Sequence, residues 1–139
     1  MYRKLPFIIL LLVFTACHKN QPQQAHCPDM PCTKIFASVS IHFTDKLGNS
    51  VAAQNFQVLN LRTNQRIYAA SAANVNLATG YFIVADDANL GDLSLEGDNV
   101  KVTASNPATS QVKTAILKLS GGCSCHITKL SGPQEVAFD

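Results

Sequence analysis

The chain has 139 residues, of which 47% are hydrophobic and 14% charged, and its formal net charge is +2. Two of its eleven basic side chains, Arg3 and Lys4, precede an apolar run near the start, and the other nine equal the nine acidic side chains in number. This balance, without a basic patch, argues against nucleic acid and anionic membrane surfaces as partners of the folded part. The length fits one domain rather than two.

The first predicted element is the apolar run of eight residues from Phe7 to Phe14. As a helix this run is about 12 Å long, whereas the hydrocarbon core of a bilayer is ~30 Å thick, so it does not predict a membrane span. A positive start, an apolar run and then small residues are typical of a secretory signal peptide.

The residues that end this segment are Phe14-Thr15-Ala16-Cys17, which resemble the lipobox of bacterial lipoproteins. In that family the peptidase cuts before a cysteine that carries lipid, including palmitate. The resemblance therefore implies a signal peptide over 1–16 and lipidation of Cys17. The alternative is an ordinary secretory signal that happens to contain a cysteine.

Residues 17–32 are predicted to be a tether. His18 to Gln24 is polar apart from Pro22, which indicates a flexible segment, and the two prolines between Cys27 and Cys32 exclude a helix interior. In some Gram-negative lipoproteins, acidic residues directly after the acylated cysteine are associated with export to the cell surface. None occurs here before Asp29. The resemblance therefore implies the cell envelope, at the periplasmic face of the outer membrane.

The remaining residues, 33–139, are predicted to form one β domain. Ile35, Ala37, Val39, Ile41 and Phe43 alternate with more polar residues, as in a strand with one buried face. Further strands are predicted at 56–61, 66–70, 81–85, 100–105, 111–119 (with a bulge or an uncovered edge near Ala115), 123–130 and 136–138, while 71–77 is ambiguous. Seven or eight short strands without a helix predict an all-β, antiparallel Greek-key sandwich.

Two stretches resemble the carboxypeptidase regulatory-like domains, which are transthyretin-like (prealbumin-like) modules. They are Val39 to Val51, with the pattern D-x-x-G-x-x-V from Asp45, and Gly97 to Ala104. The resemblance implies an Ig-like sandwich without catalytic residues, so no catalytic role is transferred.

Four cysteines remain after Cys17: Cys27, Cys32, Cys123 and Cys125. An even number outside the cytoplasm predicts disulfides. Cys123 and Cys125 are two apart on a predicted strand and would face the same side. Pairing them with Cys27 and Cys32 would join the start of the domain to its last strands. Local pairing within each couple is the alternative, and the sequence leaves the connectivity open.

No cofactor is predicted, but an alternative hypothesis is a periplasmic metal-binding or metal-delivery protein. Its ligands would be thiolates, a thioether and imidazoles, which suit Cu(I) or Zn(II): His26, Cys27, Met30, Cys32, Cys123, Cys125 and His126. Oxidation of the thiols outside the cytoplasm competes with this hypothesis.

The sequence does not predict an enzyme. Ser124 lacks the second glycine of a nucleophile elbow, and His42 is expected to be solvated on the outer face of the first strand. The acids between 86 and 98 depart from a calcium loop and are expected to form a solvated loop.

These interpretations combine into a lipid-anchored envelope protein with a noncatalytic binding or assembly module and a protein partner. A second alternative is a glycan-binding module, although the chain has no tryptophan and its mature part would offer only Tyr68 and Tyr81 for stacking on sugars.

Overall fold

The structure, a computed structural model, describes residues 27, 29–73 and 77–139. The predicted signal peptide, Cys17 and His26 lie outside the described residues. Within the part of the chain that is described, no helix has the length and apolar character needed to cross a membrane.

Eight strands and two short 3-10 helices make up the described chain. The strands are β1 (Ser38–Thr44), β2 (Gln54–Asn60), β3 (Gln65–Arg66), β4 (Tyr81–Asp86), β5 (Asp98–Ser105), β6 (Val112–Ser120), β7 (Thr128–Ser131) and β8 (Glu135–Ala137). The 3-10 helices are Ala70–Ala73 and Asp87–Asp92.

The strands form two sheets, which confirms the prediction of an all-β sandwich. One sheet has the order β4-β1-β8 and the other the order β3-β2-β5-β6-β7. The chain changes sheets after β1, β3, β4 and β7, as the crossing connections of a Greek-key sandwich require. One pairing departs from the antiparallel prediction, because β8 runs parallel to β1.

The core lies between the two sheets and follows the alternation of the strands. Val39, Ile41 and Phe43 of β1 are buried, and Val100, Val102 and Ala104 of β5 are buried opposite them on the larger sheet. Phe43 lies at the centre of an aromatic cluster: its ring centroid is 5.7 Å from those of Phe82 and Phe138. Side chains of period two therefore supply the two inner faces of the sandwich.

Three predicted strands have different bounds in the structure. β1 begins at Ser38, and Ile35 is 72% exposed, because no described strand pairs with the segment before Ser38. The third strand is only the pair Gln65–Arg66. Of the two alternatives near Ala115, the bulge is absent, since the β5–β6 register is unbroken from Asp98 to Ser105. The uncovered edge is present, since β7 pairs with β6 only from Lys118 to Ser120 and no described strand pairs with that side of β6 near Ala115.

The prediction of a strand from Cys123 to Leu130 is wrong at its start. β7 begins at Thr128, and residues 121–127 form a turn-rich loop between β6 and β7. Two glycines, Gly121 and Gly122, open this loop, and a Cβ on Gly121 would lie 2.9 Å from the carbonyl oxygen of Leu90. Close packing against the 87–92 segment therefore bends the chain away from the sheet before the cysteines.

Candidate functional site

Two disulfides join the segment before β1 to the 121–127 loop. Cys27 is bonded to Cys123 and Cys32 to Cys125, with Cα–Cα distances of 5.1 and 5.3 Å. These distances lie within the ordinary range for disulfides. Of the connectivities that the sequence left open, the structure has one of the two long-range pairings, and the local alternative is absent. Because Cys123 and Cys125 lie in a loop, the strand geometry from which the pairing was argued does not apply.

A partly buried carboxylate, that of Asp87, holds the same two segments together. Oδ2 of Asp87 accepts from the amide of Ala37 at 2.8 Å and Oδ1 accepts from the amide of Ile127 at 2.9 Å. Nδ1 of His126 lies 2.7 Å from Oδ2 and must donate, because an ionised carboxylate only accepts. Nε2 of the same ring lies 2.8 Å from the hydroxyl of Thr33, in the segment before β1.

The electrostatics of this cluster favour the charged carboxylate. Burial raises the pKa of Asp87, but the hydrogen bonds from Ala37, His126 and Ile127 outweigh it, so the pKa lies below its usual value. The cluster is thus a clamp that fixes the cysteine-bearing segment to the domain.

The ligands of the alternative metal hypothesis are not assembled in the described residues. The sulfur atoms of the four described cysteines are bonded in pairs, and a disulfide carries no thiolate charge. His126 is engaged by Asp87 and Thr33. The described chain contains no group of three or more His, Cys, Asp or Glu residues placed to hold a metal ion.

His42 is on the outer face of β1, as expected, but it is enclosed rather than solvated. Its side chain is 15% exposed, and the ring of Tyr81 stacks on it with a centroid distance of 4.1 Å. Nδ1 lies 3.1 Å from the carboxylate of Glu135, and Nε2 lies 2.9 Å from the hydroxyl of Ser50. Hydroxyl, imidazole and carboxylate therefore stand in the order of a nucleophile relay.

Acyl transfer also needs a set of N–H donors aimed at a developing oxyanion, and three described amides beside Ser50 are not free to supply it. The neighbouring amides are already used: those of Gly48 and Asn49 donate to Asp45, and that of Val51 donates to Phe43. The relay of Ser50, His42 and Glu135 therefore joins β1, β8 and the 45–50 turn. The amides of Gly48, Asn49 and Val51 do not form an oxyanion hole beside it.

The expectation of a solvated loop holds for only some of the acids between 86 and 98: Asp92 and Glu96 are exposed, but Asp86 and Asp98 are buried. Asp98 is buried, with its carboxylate 2.7 Å from Nε of Arg62 and bonded to the side chains of Asn60 and Ser94. Burial raises the pKa of Asp98, but these hydrogen bonds lower it by more than burial raises it, so the pKa is about 2. Asp86 is also buried and accepts from the amide and hydroxyl of Ser71. Both acids are structural.

A cavity of about 370 Å³ lies at one open edge of the sandwich, between β2 and β3 of the larger sheet and the edge strand β4 of the smaller one. This volume is within the range of about 300–1,000 Å³ found for small-molecule sites. Its apolar wall consists of Phe56, Val58, Ile67, Leu77, Phe82 and Ile83. The rings of Phe56 and Phe82 stack with their centroids 4.7 Å apart, which gives this wall a fixed shape.

The polar groups of the cavity are few and belong to Gln57, Arg66, Tyr68 and Tyr81. No acidic side chain lines it within the described residues. Because the cavity has this volume, an apolar wall and few polar residues along its border, it is the candidate binding site.

Comparison with known proteins identifies no relative: no family model matches, and no curated protein or solved structure is significantly similar to the chain.

Sequence reasoning missed the cavity because its wall comes from three separate stretches, near residues 57, 67 and 82. A weak signal was present in Arg66 and Tyr68, which flank Ile67 in a segment predicted to be a strand. Only the tertiary arrangement places that segment opposite β4.

Proposed function

We propose that the protein is a lipid-anchored cell-envelope protein whose β-sandwich is a noncatalytic binding module. The observation that carries the proposal is that the disulfide-bonded segment and the cavity lie at opposite edges of the larger sheet. The segment that follows Cys17 is fixed to the β6–β7 loop by both disulfides, whereas the cavity lies beside β3. β3 and β7 are the opposite edge strands of the larger sheet. A module held at one edge keeps its binding site clear of the anchor at the other.

The anchor is the acylated sulfur of Cys17, and the location is the periplasmic face of the outer membrane. One acyl chain binds a bilayer reversibly, while the several chains of a mature lipoprotein hold it stably. Nine residues separate Cys17 from Cys27, enough to span about 30 Å when extended, so the module stands just off the lipid surface.

The anchor is tested by fractionation of cells that express the full precursor, with radiolabelled palmitate as a second readout. The wild-type chain is expected to sediment with the outer membrane and to carry label. Cys17→Ala is expected to lose the label, and Asn20→Ala, a matched change in the tether, is expected to behave as the wild type does. An unlabelled, freely soluble wild-type chain would overturn the proposal.

The proposal includes a protein partner in the envelope, met through an exposed face or an edge strand. β6 turns Val112 and Ile116 outward, and both are exposed. A photocrosslinking residue at Ile116 is expected to capture one discrete partner in intact cells, whereas the same residue at Lys46, in the turn after β1, is not. Equal capture at both positions would contradict this partner surface.

A further inference from the structure

The outer face of the larger sheet carries charge of one sign. Among the five described strands of this sheet the one acidic residue is Asp98, which is buried and pairs with Arg62. Lys101 and Lys118 alternate with buried residues of β5 and β6 and so face outward, and Arg66 lies across β2 from Lys101. The overall balance of charge along the chain therefore hides a cationic face, whose members come from three separate strands.

Two of these cations border one groove of about 440 Å³, which crosses β2, β3 and β5. Arg66 is opposite Leu59 in the β2–β3 pairing, and Leu59 is opposite Lys101 in the β2–β5 pairing, so the three residues form one row across the sheet. Because neighbouring strands lie about 4.8 Å apart, the Cα atoms of the two cations are about 10 Å apart. Neither cation has a hydrogen-bond or ion-pair partner among the described residues, unlike Arg62 and Lys113, which pair with aspartates.

Most of the other side chains along the groove both donate and accept hydrogen bonds. They are the amides of Asn55 and Gln57 and the hydroxyls of Thr103 and Ser105. The amide of Asn55 donates to the hydroxyl of Ser105 at 2.9 Å, which fixes this pair. Neither an acidic nor an aromatic side chain lines the described groove. It therefore offers hydrogen bonds and positive charge, but no ring on which a ligand could stack.

We propose that this groove binds an acidic glycan, which is a sugar chain that carries carboxylates. Sugar hydroxyls donate and accept hydrogen bonds as the amides and hydroxyls of the lining do. The planar fork of the Arg66 guanidinium matches the two oxygens of a carboxylate, and Lys101 supplies a second positive charge in the same row. A neutral glycan would lack these ion pairs and would find no aromatic ring in their place. An acidic protein fits less well, because the core of a protein interface is enriched in aromatic side chains.

The inference goes beyond the proposed function, since it assigns a ligand to a second surface and needs no lipid anchor. The chain is expressed as the full precursor with export to an oxidising compartment and is purified in a neutral detergent, so that the state of Cys17 does not matter. It is titrated by calorimetry with tetragalacturonate. The matched probes are the methyl ester, which has the same sugars without charge, and end-blocked tetraglutamate, which has the carboxylates without sugars.

Tetragalacturonate is expected to bind at least about tenfold more tightly than either matched probe, which is the difference that one charge-assisted hydrogen bond makes. Its affinity is expected to fall as the NaCl concentration is raised, because salt screens exposed charges. In NMR spectra of the wild type, the amides of Gln57 and Thr103 are expected to shift during the titration, while the amide of Leu47, in the turn after β1, is expected to stay in place.

Three substitutions locate the site. Arg66→Gln and Lys101→Gln each remove one cation from the row and are expected to weaken tetragalacturonate about tenfold. Both are expected to leave the melting temperature unchanged, because neither side chain has a partner among the described residues. Lys46→Gln removes the same charge from the exposed 45–50 turn and is expected to bind as the wild type does.

Three outcomes would overturn the inference: no binding of tetragalacturonate by the folded wild-type chain, equal binding of the acid and its methyl ester, or the same loss of affinity in Lys46→Gln as in Lys101→Gln. Equal binding of tetraglutamate would also overturn it and would show that the face recognises an acidic peptide instead. Because the titration does not depend on lipid at Cys17, its failure is separate from a failure of the anchoring experiment.

Discussion

Oδ2 of Asp87 lies 2.7 Å from Nδ1 of His126, and the same carboxylate accepts from the backbone amides of Ala37 and Ile127. Three parts of the chain converge on one charged group: the segment before β1, the 3-10 helix after β4 and the disulfide loop. The clamp therefore fixes the two disulfides relative to the sandwich.

Asp87→Ala removes these acceptors, and the amides of Ala37 and Ile127 are expected to exchange with solvent at least about tenfold faster, because a lost hydrogen bond of about 1.4 kcal/mol corresponds to that factor. Hydrogen exchange followed by NMR measures this. The amide of Val102, in the centre of the larger sheet, is the internal control. Asp87→Asn keeps one oxygen acceptor and is expected to show a smaller change, and unchanged exchange at Ala37 in the alanine variant would refute the clamp.

Asp98 makes the fold sensitive to acid. Its pKa of about 2 in the folded protein lies below the ordinary value of 3.8, so the charged carboxylate stabilises the fold at pH above 3.8. This contribution, about 2 kcal/mol, is lost as the pH falls from about 4 through 2. Urea unfolding between pH 7 and pH 2 measures it.

Asp98→Asn is expected to be destabilised at pH 7 and to show a flatter dependence of the unfolding free energy on pH. Asp29→Asn, an exposed acid with no hydrogen bond among the described residues, is the matched control and should retain the wild-type dependence. An asparagine variant with the full acid dependence would show that other carboxylates are responsible.

The disulfides stabilise the domain by restricting the unfolded chain. They join residues 96 and 93 positions apart, and each is expected to contribute about 2–4 kcal/mol to the free energy of unfolding. The double variant Cys32→Ser/Cys125→Ser removes one bridge without leaving a free thiol, and urea unfolding measures the loss. Peptide mapping without reduction checks the pairing, and a Cys27–Cys32 peptide in the wild type would contradict it.

Gly48 and Gly80 have the same left-handed φ of +83° in different surroundings. A Cβ on Gly48 meets nothing within 4 Å, whereas one on Gly80 would lie 2.7 Å from the carbonyl oxygen of Phe43. Gly48→Ala is therefore expected to cost about 1–2 kcal/mol, the conformational penalty alone. Gly80→Ala adds a backbone clash and should cost at least ~1 kcal/mol more. Thermal unfolding of both variants measures the difference, and equal melting temperatures would refute the clash.

The relay of Ser50, His42 and Glu135 tests the noncatalytic proposal. A fluorophosphonate reagent is expected to leave Ser50 unmodified, because the neighbouring amides donate within the turn and the sheet rather than to an oxyanion. Mass spectrometry of the treated protein measures this, with heat-unfolded protein as the background control. Labelling that is lost in His42→Asn would show an activated serine and contradict the proposal.

The alternation of apolar and polar residues along the sequence predicted the core correctly for strands that have the opposite sheet packed against one face. Val39, Ile41 and Phe43 are buried as their spacing requires, and so are Val100 and Val102. Ile35 continues the same alternation and is exposed, because a local pattern cannot tell where the covering sheet ends.

The candidate site was harder to predict from the sequence than the core, because its residues are held by contacts with distant parts of the chain. Asp98 was expected to be solvated, and its burial depends on Arg62, 36 positions earlier in the chain. The cysteines were recognised as a disulfide set from their number, but their partners follow from the packing of the 121–127 loop. The parallel pairing of β8 with β1 also has no counterpart in local periodicity.

The position of β1 has a consequence for export. Its partners β4 and β8, and the cysteines bonded to the segment before it, all occur later in the chain. On the proposed secretory route the amino-terminal part emerges first, so Cys27 and Cys32 reach the oxidising compartment while Cys123 and Cys125 are still inside. Any bond that forms between the early pair is non-native and has to be exchanged through a mixed disulfide before the sandwich closes. On that proposed route, maturation of this small domain would depend on a thiol–disulfide isomerase, or on shielding of the early thiols until translocation ends.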